Sequence, residues 1–272
     1  MTIFSDGLAA IAGDFDAFII DQFGVIHDGR ALYPEARAAL EGLQASAKRV
    51  AILTNSGKRR AANHARILAM GVPEAFFTDV VSSGDVAFDL IRAGGLGRFG
   101  NVMIIGKAGE DYGFDGLGMA ATDDPVLADL LLFLGSNAPR TALEDYARLL
   151  APAARRAVPA ICCNPDRQML TSDGLQPAPG AIAALYESLG GTVTWVGKPY
   201  RDIYAHALRT AGDPLPGRAL CIGDSIDHDV RGGHGAGLKT ALVCTGLAES
   251  LSDAQIAAAI PPPDYALPSL RW

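Results

Sequence analysis

No apolar run in the chain is long enough to cross a bilayer as a helix. The most apolar stretch, Leu130–Leu134, follows Asp129 and falls far short of the roughly 20 residues a span needs. Cysteine is scarce: Cys162, Cys163, Cys221 and Cys244 sit in strand-like apolar stretches and none is spaced CxxC. They read as small buried hydrophobes rather than a disulfide framework. Basic charge is the minority, with 23 Lys and Arg against 30 Asp and Glu and a net charge of −7. Such a chain is a poor electrostatic partner for nucleic acid or an anionic membrane, although a local basic pocket for a small anion fits. The N-terminal segment has no Lys or Arg before its apolar stretch, and Asp6, Asp14 and Asp16 punctuate it. It does not read as a signal peptide, and the chain is expected to be cytoplasmic.

Several catalytic signatures are missing too. His27, His64, His206, His228 and His234 show no HExxH or comparable zinc spacing, and there is no GxSxG elbow. Gly95-x-Gly97-x-x-Gly100 matches the dinucleotide fingerprint by letters. It follows a helix-like stretch and precedes a strand-like one, the reverse of the context that motif needs. Trp195 and Tyr204 read as core.

What is present is a globular composition: 272 residues, 49% apolar and 19% charged, enough for one large domain or two modest ones. Apolar strand-like and helix-like segments alternate. Strands are expected at 15–21, 49–56, 192–197, 218–224 and 239–246, with helices at 34–46, 58–71 and 201–212. This rhythm predicts an α/β fold with a doubly wound parallel sheet. Between residues 83 and 178 there are additional strands (NVMIIG, LADLLLFLGS, VPAICCNPD) with glycine-rich joints, read as a second, smaller α/β unit inserted into the first. The boundaries are therefore 1–82 with 179–272 for the core and 83–178 for the insertion. The proline-punctuated C-terminus reads as an edge strand or tail.

Four strand ends carry chemistry. Asp21 closes FDAFIID, where an acid at the carboxyl edge of a parallel sheet is placed to be a nucleophile or metal ligand. Thr54-Asn55-Ser56 ends the next strand before a helix, an arrangement that can cradle an anion. Lys198 follows a third strand and can neutralise phosphate. Gly223-Asp224-Ser225-Ile226-Asp227-His228-Asp229 groups three acids, suited to a hard cation such as Mg²⁺. In a doubly wound sheet all four reach one edge and together supply the parts of a phosphoryl-transfer site.

In their order and spacing, Asp21-x-x-Gly-Val, Thr54-Asn55, Lys198-Pro and Gly223-Asp224-x₄-Asp229 resemble the four motifs of the haloacid dehalogenase superfamily. The wordings ILTNSGKR and VGKPY, and a cap between the second and third motifs, resemble its C2-capped branch of NagD-like, p-nitrophenyl phosphate and pyridoxal phosphate phosphatases. The resemblance covers nearly the whole chain. It implies a Rossmann-like core with an α/β cap, and hydrolysis of a small phosphorylated metabolite with Mg²⁺. It also implies roles. Asp21 would be the nucleophile and Lys198 would hold it and the phosphate. Thr54, Asn55 and Ser56, with Asn164 and Asp166 of the cap's Asn-Pro-Asp loop, would bind substrate. Asp21, the backbone carbonyl of Phe23, Asp224 and Asp229 would surround the metal. Relatives are often dimers, so a homodimer is compatible with it.

One position departs from the family's pattern. Its phosphatases read Asp-x-Asp in the first motif, the second Asp serving as general acid and base, and here that position is Phe23. His27, Asp28 and Asp227 are near enough in sequence to be substitutes. An aromatic there also resembles the metal-free dehalogenases, against which stand the clustered acids of the fourth motif. Two alternatives to a Mg²⁺-dependent phosphatase therefore stay open: a metal-independent dehalogenase-like hydrolase, and a catalytically weak phospho-ligand-binding protein.

Overall fold

The computed structural model describes residues 2–94, 97–171 and 174–272. Residues 1–54, 61–81 and 198–272 form one compact unit, and residues 55–60 and 82–197 form the other. Gly95 of the fingerprint-like triplet lies outside the described residues.

The first unit begins with β1 (Ile3–Phe4), β2 (Ala17–Asp21), α1 (Ala36–Ala45), β3 (Arg49–Thr54), α2 (Arg60–Ala69) and β4 (Asp79–Ser82). The second holds α3 (Ser83–Arg92), β5 (Asn101–Ile105), β6 (Ala120–Ala121), β7 (Leu130–Phe133), α4 (Leu143–Arg155), β8 (Pro159–Cys162), β9 (Gln168–Thr171), β10 (Gly174–Pro177), α5 (Pro179–Ser188) and β11 (Thr192–Trp195). The chain returns to the first unit through α6 (Arg201–Thr210), β12 (Ala219–Gly223), α7 (Arg231–Gly235), β13 (Lys239–Val243), α8 (Asp253–Ala257) and β14 (Tyr265–Leu267).

The core sheet has the order β1-β14-β13-β12-β2-β3-β4. β2 pairs parallel with β3 on one side and β12 on the other, and β12 with β13. β2, β12 and the interior of β3 are buried apolar runs because helices cover a parallel sheet on both faces. Phe18, Ile20, Val50, Ile52, Leu220 and Ile222 fill the core on one side of this sheet together with Leu40 and Leu43 of α1. The order reverses beside β2, so its carboxyl end, with those of β3 and β12, lies at the crevice where such sheets bind ligands.

Two expectations are corrected here. β11 does not rejoin the core rhythm. It pairs parallel with β8, so the second unit runs to 197 rather than 178 and its sheet has the order β11-β8-β7-β5-β6. Periodicity marks a strand but not its neighbour, and β11 has a half-buried face that packs Val193 and Trp195 on the second unit's own core. The C-terminal strand is not an edge either. β14 is flanked by β13 and by β1, where the Ile3 and Ser5 N–H groups donate to Asp264 and Ala266 carbonyls.

The cysteines are free thiols, three of them buried and Cys244 half-buried. Tyr204 is fully buried. No helix among the described residues is long and apolar enough to cross a membrane.

Candidate active site

The first unit gathers five of the expected residues. Asp21 ends β2, Thr54 ends β3, Asp224 follows β12, Asp229 lies in the single π-helical turn Ile226–Val230, and Lys198 precedes α6. All five are buried. The Lys198 ammonium lies 2.6 Å from Asp21 Oδ1 and 2.8 Å from Asp229 Oδ1. Asp21, Asp224 and Asp229 each bring a carboxylate oxygen within 4.8 Å of the others.

Glycines make this crowding feasible. A Cβ on Gly24 (φ +84) or on Gly246 (φ +54) would stand 2.0 Å from Asp224 Oδ2, and one on Gly223 would stand 1.9 Å from Asp229 Cγ. Each is therefore required by close approach, and the first two also by backbone conformation. Asp224 Oδ2 accepts from the Leu247 N–H at 2.8 Å, and the Thr245 hydroxyl donates to the Gly24 carbonyl at 2.6 Å. Asp229 Oδ2 accepts from the Ser225 N–H at 3.2 Å. The Thr245-Gly246-Leu247 segment was not singled out in the sequence. Its signal is there: Gly246 comes just after the apolar β13, as Asp224 comes just after β12.

The electrostatics follow from burial. Burial raises the Asp21 carboxyl, and repulsion from Asp229 and Asp224 adds to this while Lys198 opposes it, leaving the group well above the ordinary carboxylate range. Asp224 is pushed up to about 7, by burial first and by Asp229 second, with the Leu247 N–H opposing. Burial alone would lower Lys198, but its contacts with Asp21 and Asp229 outweigh it and the net shift is upward, so it is a fixed cation. Three carboxylates and one ammonium leave two negative charges uncompensated when all are ionised. Buried charge of that size is costly unless paired. An all-oxygen set of this net charge fits a hard divalent cation.

Phe23, at the position where the family's phosphatases carry the second Asp, is 54% exposed and its ring packs edge-on against His27. Gly24, directly after it, abuts Asp224, so the Phe23 carbonyl belongs to the loop that meets the cluster. Each of the three possible substitutes is engaged by a neighbour. His27 is 1% exposed, its Nδ1 accepts the Gly29 N–H at 2.9 Å, its Nε2 faces the Gln22 amide at 3.0 Å, and burial pulls it down to about 4. Asp28 accepts from the Arg30 and Ala31 N–H groups, closing a turn, and those bonds hold its carboxyl low. Asp227 is exposed and paired with Arg231 at 2.9 Å.

The remaining expected residues lie in the second unit. The Ser56 hydroxyl accepts from the Lys58 N–H at 3.2 Å, and α2 starts at Arg60, so Thr54-Asn55-Ser56 does not lead directly into the helix. Asn164 Oδ1 accepts from the Asp166 N–H at 3.0 Å. Asn55 Nδ2 donates to Asp166 Oδ1 at 3.0 Å, so these two expected substrate contacts meet each other.

Comparison with known proteins agrees with this arrangement. A family model described as haloacid dehalogenase-like hydrolase matches residues 18–120, and one described as HAD-hydrolase-like matches residues 195–272. The sugar-phosphatase AraL of Bacillus subtilis is 30% identical over 256 residues, covering 93% of this chain and 90% of that protein. The structure of a haloacid dehalogenase-like hydrolase from Brucella suis 1330 superposes with a TM-score of 0.85 at 30% identity, over 98% of this chain and 99% of that one. The glycerol phosphate phosphatase of Mycobacterium tuberculosis, solved in complex with magnesium, superposes with a TM-score of 0.76 at 26% identity, over 96% of this chain and 77% of that one. The two models bracket the strand ends from which the acid cluster is built, and the likeness to a single relative runs through both units: the chain belongs to the haloacid dehalogenase-like hydrolases.

Proposed function

We propose that this hydrolase is a Mg²⁺-dependent phosphatase of a small phosphomonoester, with Asp21 as nucleophile. The observation that carries the reading is the buried carboxylate cluster held on Lys198, with two negative charges left for a dication. The names of the relatives support a small phosphorylated metabolite as substrate.

In this reading an Asp21 oxygen attacks phosphorus, the phosphorus–oxygen ester bond breaks, and the leaving oxygen departs with the electron pair and takes a proton from solvent to become the alcohol. Water then attacks the phosphorus of the acyl phosphate and gives up a proton to solvent, releasing inorganic phosphate and regenerating the Asp21 carboxylate. Lys198 fixes the attacking carboxylate by direct contact, so little orientation is lost on reaching the transition state. The Thr54 hydroxyl, at the end of β3, is the phosphoryl-binding side chain of the first unit. Asp21, Asp224 and the Phe23 carbonyl would hold the metal, with Asp229 behind them and bonded to Lys198. When bound, the metal neutralises charge on the phosphoryl oxygens. Ser56 and Asn164 are left out of the reading, because each closes a local turn.

The test is turnover of p-nitrophenyl phosphate by wild type and Asp224→Asn, each with Mg²⁺ and with EDTA. Wild type is expected to turn over only with Mg²⁺. Asp224→Asn should need a higher Mg²⁺ concentration and lose on the order of 10–100-fold in rate at a fixed one. EDTA-resistant turnover, release of halide from a haloacid without metal, or phosphate-analogue binding with no turnover would each overturn the reading.

A further inference from the structure

The chain passes between the two units after Thr54, after Arg60, after Val81 and after Gly197. Two of these passages adjoin residues of the proposed site: Asn55 is bonded to Thr54, and Gly197 to Lys198. The second-unit sides of three passages are packed together. Asn55 Oδ1 accepts from the Ser83 hydroxyl at 3.4 Å, and Ser83 is fully buried. Gly197 (φ +111) is pressed against the same group: a Cβ there would stand 2.6 Å from Ser83 Oγ, 2.7 Å from Asn55 Oδ1 and 2.9 Å from Pro165 Cδ. The neighbouring backbones are as close, since a Cβ on Gly84 would stand 2.4 Å from the Gly57 carbonyl oxygen. The Gly84 N–H donates to the Ser56 carbonyl at 3.1 Å.

Asp166 joins this knot from the Asn-Pro-Asp loop. Its Oδ1 accepts from Asn55 Nδ2 at 3.0 Å. The loop itself is stiff. The Asp166 N–H is taken by Asn164 Oδ1, and the Asp166 carbonyl accepts from the Gly180 N–H at 3.0 Å. A Cβ on Gly180 would stand 2.2 Å from the Pro165 carbonyl oxygen, so the N-terminus of α5 backs the loop directly. An amide has one acceptor oxygen and one donor nitrogen. Here the oxygen faces Ser83 and the nitrogen faces a carboxylate, which fixes the amide in one orientation and strengthens the bond.

We propose that Asp166 is a positioning residue. It holds Asn55, and through the knot of Asn55, Ser83 and Gly197 it holds the backbone ends that carry Thr54 and Lys198. Its effect on turnover then passes through Asn55 rather than through contact with substrate. The inference rests on the phosphatase reading for the roles of Thr54 and Lys198.

The test is a double-mutant cycle of Asp166→Ala and Asn55→Ala, measured as kcat and KM for p-nitrophenyl phosphate with Mg²⁺. Thermal stabilisation by Mg²⁺ plus orthovanadate is scored on the same four proteins. Asp166→Ala alone should lower kcat by about tenfold or more, as expected when reacting groups lose their placement, with KM moving less than about threefold. In the Asn55→Ala background the same change should cost less than about twofold in kcat, because the partner through which it acts is gone. Asp166→Asn, which can still accept from the Asn55 amide, should recover most of the loss. If the alanine variant does not fold, Asp166→Leu, similar in shape but unable to accept from Asn55, takes its place in the cycle. An equal loss from Asp166→Ala in both backgrounds overturns the proposal, as does a change in KM with kcat untouched. Absence of wild-type turnover overturns the phosphatase reading instead, and the vanadate-stabilisation cycle then decides the coupling by itself.

Discussion

In the core sheet β2, β3 and β12 run out into Asp21, Thr54 and Asp224. In the second sheet β5, β7 and β8 run out into Gly106, Leu134 and Cys163. Both sheets are parallel and covered by helices, and both bury strands such as β2 and β7 completely. At the second edge the only ionisable group among these strand ends is the Cys163 thiol, which burial pushes well above its ordinary value. Burial thus disfavours the thiolate that a nucleophile would need. The lesson is that the architecture provides an edge, and the residue closing each strand decides whether the edge has chemistry. A carboxylate there also needs room, and Gly24, Gly223 and Gly246 give it where Asp224 and Asp229 crowd together.

The largest effect should come from the nucleophile. Asp21→Asn keeps the shape of the side chain but offers a poor nucleophile, and turnover should fall by about 10⁴-fold or more with the fold intact. Cys163→Ser, the matching strand-end change in the second sheet, should leave kcat within about twofold once folding is verified by circular dichroism. A comparable loss from both variants would break the contrast between the edges. Mass spectrometry of wild type quenched during turnover should place the phosphoryl adduct on Asp21, and an adduct elsewhere would overturn the assignment.

Phe23 allows the core edge itself to be sharpened. With Phe23 where the family's phosphatases carry the acid, the departing oxygen is expected to leave with little protonation. Rates should therefore depend steeply on leaving-group pKa, with aryl and acyl phosphates ahead of alkyl phosphates. Phe23→Asp should flatten that dependence and raise turnover of alkyl phosphates by up to about 10²–10⁴-fold, the range of general acid–base help. Because Phe23 is 54% exposed, removing its ring leaves no sealed void, and the change should fold. An unchanged slope in the folded variant would mean that protonation is supplied from elsewhere.

Much of the core edge was legible in the sequence, because strand ends announce themselves. An apolar run closed by Asp, or by Gly-Asp, has few structural uses in a parallel sheet, and Asp21 and Asp224 stand where that pattern put them. Contacts between segments distant in sequence were not legible. Nothing local in Thr192–Trp195 distinguishes a partner in the core from β8, so the sequence pattern points to a boundary at 178 where the second unit ends at 197. Nothing in Ile3–Phe4 announces that it covers β14. The Asn-Pro-Asp loop carried a resemblance to a substrate loop, while its bond to Asn55, 111 residues away, depends on how the second unit closes. The Leu247 N–H on Asp224 is illegible for the same reason.

The smallest effect concerns His27, which tests whether every titratable group near the core edge belongs to the chemistry. It is held neutral: burial lowers it to about 4 from an ordinary 6.5, the Arg66 charge adds to this, and Asp28 opposes it weakly. The folded pKa lies below the unfolded one, so the unfolded chain takes up the proton first as pH falls. The stability that neutral His27 contributes is therefore complete above about pH 6.5 and is lost progressively down to about pH 4. A difference of this size corresponds to on the order of 3 kcal/mol across the window. His27→Gln removes the titration while keeping a polar group that can face Gln22. It should be less stable than wild type at pH 7, where it loses the Gly29 N–H bond to Nδ1. Between pH 6.5 and 4 its melting temperature should fall less steeply than that of wild type. Thermal unfolding of both proteins in EDTA across this range makes the comparison without metal. Parallel curves would mean that His27 does not titrate there, and would return it to the candidates for the acid that Phe23 does not supply.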